Sequence, residues 1–137
     1  MVDPGRLRAL LDRVRDETDH LRRMAATPRE RLIGDPDLIA AAKYRFIVAI
    51  EACIDAGEHV IASEGLRAPN DFADVFASLT EADVIPAATV PDLQRMARFR
   101  NLLVRGYAKV DDEQVIDLMT SRLGDLDAFR EALARSA

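Results

Sequence analysis

The apolar residues of this 137-residue chain recur at intervals of three and four along most of its length. Such spacing puts them on one side of an α-helix, so it predicts a series of amphipathic helices. No stretch alternates convincingly between apolar and polar residues, and we therefore predict no β-strand. The expected fold is all-α, an up-and-down bundle of four to five helices with short connections, and the length predicts one domain over residues 1–137.

The residues that begin and end helices divide this pattern into five predicted helices. Asp3 and Asp35 each precede a proline, a pair typical of a helix cap followed by the first turn. Asp71 is placed to cap a short third helix, and Gly65 is typical of the end of the second. The predicted helices cover residues 4–26, 36–63, 71–79, 87–108 and 112–134, with a loop or short helical turn at 27–35.

The composition and the net charge argue against several classes of function. The net charge of -5 and a sequence pI near 5.0 argue against a general nucleic-acid coat protein, but they permit a local basic site. Cys53 is the only cysteine, so no internal disulfide can form, which suits a reducing cytosol. The chain has no Cys-x-x-Cys pair, no signal peptide pattern and no apolar run near the ~20 residues of a membrane span. We therefore expect a cytoplasmic protein with no membrane partner and no metal site.

The predicted fourth helix carries a basic segment that stands out in an acidic chain. Helical spacing places Arg100, Asn101 and Arg105 on the side opposite the apolar residues Met96 and Phe99, and Asn101 and Arg105 point together. The plain alternative is a solvated surface, where arginine stems cover apolar groups. Residues 95–109 contain no acid and five basic residues, which are Arg95, Arg98, Arg100, Arg105 and Lys109.

The same segment resembles the motif of HepT-like toxins, a branch of the HEPN superfamily (domain of unknown function 86). The family motif is Arg, four residues, His, one residue, Tyr. Arg100 and Tyr107 match this motif, whereas Arg105 occupies the position of the histidine. The resemblance covers roughly residues 5 to 133, and its further matches are Tyr44-Arg45-Phe46, Ala49 to Asp55, His59 to Ile61, Gly65-Leu66 and Asp71-Phe72.

The resemblance implies a ribonuclease that uses no metal or other cofactor and forms its active cleft at the two-fold interface of a homodimer. A ribose 2′-hydroxyl would attack the adjacent phosphate of RNA. In this scheme Arg100, Asn101 and Arg105 hold the catalytic positions, with Arg100 as the cation that binds the phosphate. The flanking cations Arg95, Arg98 and Lys109 are then expected to bind RNA.

Arg105 departs from this scheme because a guanidinium keeps its proton, with a pKa above ~12. It can hold a phosphate, but it cannot take up a proton and return it. A general acid–base group typically contributes ~10²–10⁴ in rate. We therefore expect a weak or inactive ribonuclease that retains an anion-binding cleft.

The resemblance also implies a partner and a modification. In the HepT-like branch, a nucleotidyltransferase antitoxin attaches AMP to the motif tyrosine and silences the toxin, and Tyr107 occupies that position. Three functions therefore remain open. The chain is a toxin subunit of a toxin–antitoxin pair, a catalytically degenerate module that binds RNA or a nucleotide, or a structural bundle whose arginines form salt bridges with the acidic first helix.

Overall fold

The computed structural model describes residues 2–106 and 110–136 of the chain. In these two ranges the chain forms α-helices and no β-strand, which confirms the predicted all-α fold. There are seven α-helices in the described ranges, more than the four to five predicted. They are α1 (Pro4–Ala25), α2 (Arg29–Ile33), α3 (Pro36–Glu64), α4 (Asp74–Glu81), α5 (Val90–Arg105), α6 (Asp112–Ser121) and α7 (Leu123–Ala134).

The predicted caps of the two long helices are confirmed. The carboxylate of Asp3 accepts hydrogen bonds from the backbone N–H groups of Gly5 and Arg6, at 3.0 and 3.2 Å, and so begins α1. Asp35 accepts from the backbone N–H of Leu38 at 3.1 Å and begins α3 in the same way. Gly65 ends α3 in the left-handed conformation, with φ of 64°, which a residue without a Cβ adopts at little cost.

The prediction of one continuous helix over 112–134 was wrong, because the chain breaks at Arg122. Its backbone lies at φ -122° and ψ 7°, well away from helical values. The Arg122 side chain pairs with Asp92 on α5, where Nη2 and Oδ2 are 2.7 Å apart, and with Asp125 at 3.0 Å. The break therefore coincides with a connection between α5 and the start of α7.

The helix predicted at 87–108 is also shorter than expected. Residues Ala87–Thr89 form a 3-10 turn, and the α-helix ends at Arg105. The backbone N–H of Gly106 donates to the carbonyl of Leu102 at 2.7 Å and closes the last turn. A Cβ at Gly106 would meet only Leu102 among the described residues, so Gly106 acts as a helix terminator and not as a point of close approach to another backbone.

Helix α3 lies at the centre of the bundle and packs against helices on several sides. Its Phe46 meets Phe99 of α5 edge to face, with ring centroids 5.4 Å apart. Cys53 is buried in this core, as predicted, and burial raises the pKa of its thiol. The helices of the described ranges are each too short or too polar to cross a membrane.

Candidate functional site

Helix α5 places the motif residues on two different sides of the bundle. Its inner side packs into the core through Leu93, Met96, Ala97, Phe99 and Leu103. Leu102 does not belong to that side, since it is 38% exposed. At ~100° per residue, Arg100 and Arg105 are ~140° apart around the helix axis. The prediction that both point away from the core is therefore correct for Arg105 only.

Arg100 faces α3 and is held there by several contacts. Its Nε and Nη2 atoms both donate to Oε1 of Glu51, at 3.1 and 2.7 Å. Its Nη1 atom donates to Oδ1 of Asn101 at 3.1 Å. The guanidinium carbon also lies 5.0 Å from the centroid of the Phe72 ring, within range of a cation–π interaction. Arg100 is thus a fixed cation, with only 16% of its side chain exposed.

The outer side of α5 carries cations that are not held in this way. Arg98 and Arg105 are exposed and lie seven residues apart, which places them on one side two turns from each other. Neither has a hydrogen-bond or ion-pair partner among residues 2–106 and 110–136. Arg95 is also exposed, and it forms a long surface pair with Asp92 at 3.7 Å, a type of contact that contributes little.

Asn101 lies between the two sides and contacts Arg100 directly. The structure therefore brings Arg100 and Asn101 together and leaves Arg105 on the outer side with Arg95 and Arg98. The remaining two predicted site residues, Tyr107 and Lys109, lie outside the described residues.

A row of acids on α3 belongs to the surroundings of Arg100 and was missed from the sequence. Glu51, Asp55 and Glu58 are spaced by four and three residues, so they share one side of the helix. Burial, and then the charge of Glu51, raise the pKa of Asp55, while the charges of Arg6 and Arg100 oppose that shift. Burial and the charge of Asp55 raise the pKa of Glu58. The helical spacing of these acids is the signal that could have located them.

A cavity of about 350 Å³ opens beside the Arg100–Glu51 pair, between α1 and α3. Glu51 and Asp55 line it together with Arg13 of α1. The site thus combines a fixed cation, exposed cations without a partner among the described residues on the outer side of α5, and carboxyl groups with raised pKa values. Cations of this kind can bind phosphate groups, and a carboxyl with a raised pKa exchanges its proton nearer to neutral pH.

Several solved structures have the same helical arrangement as this chain. One is the tri-AMPylated HEPN toxin of Shewanella oneidensis in complex with MNT antitoxin, with a TM-score of 0.87, 19% identity, and coverage of 98% of this chain and 99% of that one. Another is a toxin–antitoxin structure with AMP-PNP, with a TM-score of 0.88, 18% identity, and coverage of 96% and 98%. At these identities the comparison establishes the fold, which is that of HEPN toxins.

The family follows from the sequence of the whole bundle. A family model described as Ribonuclease HepT-like matches residues 14–133, and the chain belongs to this family. The mRNA nuclease HepT of Shewanella oneidensis is 26% identical over 83 residues, which are 61% of this chain. That match spans 62% of the length of the relative. The resemblance of this chain to the HepT-like family is thereby confirmed.

Proposed function

We propose that this chain is the single-domain toxin subunit of a toxin–antitoxin pair, descended from a metal-independent endoribonuclease that acts on RNA. Membership of the Ribonuclease HepT-like family supports the ancestry. The observation that carries the proposal is the outer side of α5, where Arg98 and Arg105 are exposed and have no partner among the described residues. Phosphate groups of RNA are the partners that such cations favour.

The geometry of Arg100 gives it a specific part in this function. Its guanidinium is fixed in direction by Glu51 and Asn101, so a phosphate that reaches it meets preorganised donors. The same phosphate competes with Glu51 for Nε and Nη2, because both donate to one carboxylate oxygen in this structure. RNA binding at Arg100 therefore requires that Glu51 share or release these donors.

Arg105 limits the ability of the site to cleave RNA. It adds a positive charge to the surface that meets RNA, but it cannot exchange a proton near neutral pH. The chain therefore binds RNA in the manner of its family and cleaves it slowly or not at all. The second candidate function, a degenerate module that binds RNA or a nucleotide without cleavage, is favoured by this one residue.

The toxin is proposed to act as a two-fold homodimer in the cytoplasm, with the α5 surfaces of two copies facing each other. An exposed apolar side chain on that surface supports this arrangement: Val104 is 48% exposed and follows Arg100 by four residues, one turn along α5. Val104→Arg should give a monomer by light scattering at micromolar concentration. Ile33→Arg, at an equally exposed apolar residue of α2, should leave the dimer intact. A wild-type chain that is monomeric under these conditions would rule the dimer out.

RNA affinity measured against salt concentration tests the proposal directly. The logarithm of affinity should fall linearly with the logarithm of salt, by about 0.7 per phosphate contact on single strands. Arg98→Gln and Arg105→Gln should each weaken binding and reduce this slope, whereas Arg31→Gln on exposed α2 should change neither. Affinity without cleavage would favour the degenerate module, and absence of salt-dependent affinity would leave only a structural bundle.

A further inference from the structure

The contact surface between α1 and α7, which we call the α1–α7 seam, differs in charge at its two ends. The two helices run antiparallel, and at one end Arg22 of α1 pairs with Asp127 of α7, with Nη2 and Oδ2 2.6 Å apart. At the other end, Arg8 of α1 and Arg130 of α7 line the same cavity of about 320 Å³. Opposite charges close the first end, whereas two like charges face a shared space at the second.

The charge of these two arginines is not balanced within the described residues. Neither Arg8 nor Arg130 has a hydrogen-bond or ion-pair partner among the described residues. Asp12 also lines the cavity, but its carboxylate is 3.4 Å from Nη1 of Arg15 and is partly neutralised by it. The residues that line the cavity therefore carry a net positive charge, which attracts an anion.

The Nε atom of Arg130 gives a second, independent observation. It is shielded from solvent and has no hydrogen-bond partner among the described residues. A buried donor without an acceptor is unfavourable and uncommon. An oxoanion that contacts Nε and Nη2 of Arg130 together would satisfy both donors by a charge-assisted, two-bond contact.

We propose that Arg8 and Arg130 form an anion site for a phosphoryl group at the α1–α7 seam, apart from the surface of α5. The apolar part of the cavity, formed by Leu11 and Ala134, accommodates the organic body of a phosphate ester. Asp12 is placed to accept a hydrogen bond from a hydroxyl or amino group of that body. The phosphoryl group comes either from a free nucleotide or from an RNA chain, and the inference does not depend on ribonuclease activity.

The test is a titration of the full chain, labelled with ¹⁵N, that follows the arginine Nε–H signals at constant ionic strength. Inorganic phosphate should shift the signals of Arg8 and Arg130 in a saturable way and leave that of Arg31 unchanged. Arg8→Gln and Arg130→Gln should each weaken binding by about tenfold or more, the scale of a lost charged hydrogen bond. Arg31→Gln, also exposed and without a partner among the described residues, is the matched control.

The source of the phosphoryl group is resolved by two further ligands. Tighter binding of cytidine 5′-monophosphate than of inorganic phosphate identifies a nucleotide site, and tighter binding of a short oligoribonucleotide, lost in Arg8→Gln, identifies an RNA contact. Arg8 is exposed, so its substitution should leave the fold intact even if Arg130→Gln unfolds the chain. Linear, non-saturable shifts, or equal shifts at Arg31, would overturn the proposal.

Discussion

The Nη2 atom of Arg100 lies 2.7 Å from Oε1 of Glu51, and this contact joins the motif helix α5 to the middle of α3. The arginine side chain is 16% exposed and the glutamate side chain 43%, so the pair is partly shielded from water. An ion pair of this kind fixes the direction of the guanidinium and partly neutralises its charge. Glu51 therefore fixes the direction in which the Arg100 guanidinium faces an incoming phosphate.

Glu51→Ala should lower the free energy of unfolding by about 1–2 kcal/mol, between the values for exposed and buried pairs, because Arg100 loses its carboxylate while it stays largely buried. Glu51→Gln keeps an oxygen acceptor and should lose less. Urea unfolding of the three proteins measures the difference. Glu64→Ala, at an exposed glutamate on the same helix, should stay within about 0.5 kcal/mol of wild type. A Glu51→Ala protein as stable as wild type would show that the pair does not hold Arg100.

Gly57→Ala should destabilise the bundle, although alanine is the better helix former. A Cβ at Gly57 would lie 2.7 Å from Cγ1 of Val75 and 3.1 Å from Cδ1 of Leu79, and both side chains are fully buried. Overpacking costs about 1–3 kcal/mol, against a gain of ~1 kcal/mol in helix propensity. We expect a net loss of about 1 kcal/mol in thermal or urea unfolding.

Gly124→Ala is the matched control for this substitution. A Cβ at Gly124, near the start of α7, meets nothing within 4 Å. Only the gain in helix propensity remains, so this protein should be as stable as wild type or up to ~1 kcal/mol more stable. If both alanine variants gain stability, the contact between α3 and α4 is looser at Gly57 than the structure indicates.

Asp74 should contribute stability that disappears in acid. Hydrogen bonds from Arg67 and from the backbone N–H of Asn70 lower the pKa of Asp74 from 3.8 to about 2. A carboxyl with a lowered pKa in the folded state stabilises the fold above its unfolded pKa. The stability difference between wild type and Asp74→Asn should therefore be full above about pH 4 and shrink as the pH falls towards 2. Urea unfolding at several pH values measures it, and a difference independent of pH would contradict the assignment.

The contribution of Asp55 to stability should depend on pH in the opposite direction. Burial and the charge of Glu51 raise its pKa, so the folded state binds this proton more tightly than the unfolded state does. Its charged form costs stability at neutral pH, and that cost is relieved as the pH falls through the raised pKa. Asp55→Asn should therefore stabilise the chain at pH 7 and lose this advantage in acid, opposite to Asp74→Asn.

Helical periodicity predicted the fold class and the bounds of α1 and α3, because caps and apolar spacing are local properties of the sequence. It did not predict the break at Arg122, whose side chain pairs with Asp92 on another helix. It also did not predict that Arg100 pairs with Glu51, which is 49 residues away along the chain. Contacts between helices decided both features, and the spacing of one helix does not contain them. The direction of Arg100 follows from the spacing itself, because at ~100° per residue Arg100 lies only ~40° from the buried Met96.

Tyr107 should be the acceptor of AMP if the antitoxin of the proposed pair is a nucleotidyltransferase. Co-expression with that enzyme should add the mass of AMP to the peptide that contains Tyr107, and Tyr107→Phe should abolish the addition. Mass spectrometry of the digested protein measures both. Tyr44 is the other tyrosine of the chain and is 61% exposed, so Tyr44→Phe is the matched control. AMP found on Tyr44 would contradict the assignment.

Arg105→His should raise RNA cleavage by ~10² or more, because the site gains a group that can exchange a proton near neutral pH. The gene should also become toxic in cells.

Arg98→His is the matched control for this substitution. Arg98 lies on the same exposed side of α5, and Arg98→His should give no activity. Arg100→Ala in the Arg105→His background should lose the activity again, because the charge that develops on the phosphate is left without its fixed cation. The wild-type chain should still bind RNA, with an affinity that falls as salt rises. Equal cleavage by wild type and Arg105→His would show that another group transfers the proton, and the raised pKa of Asp55 makes that residue the first to substitute.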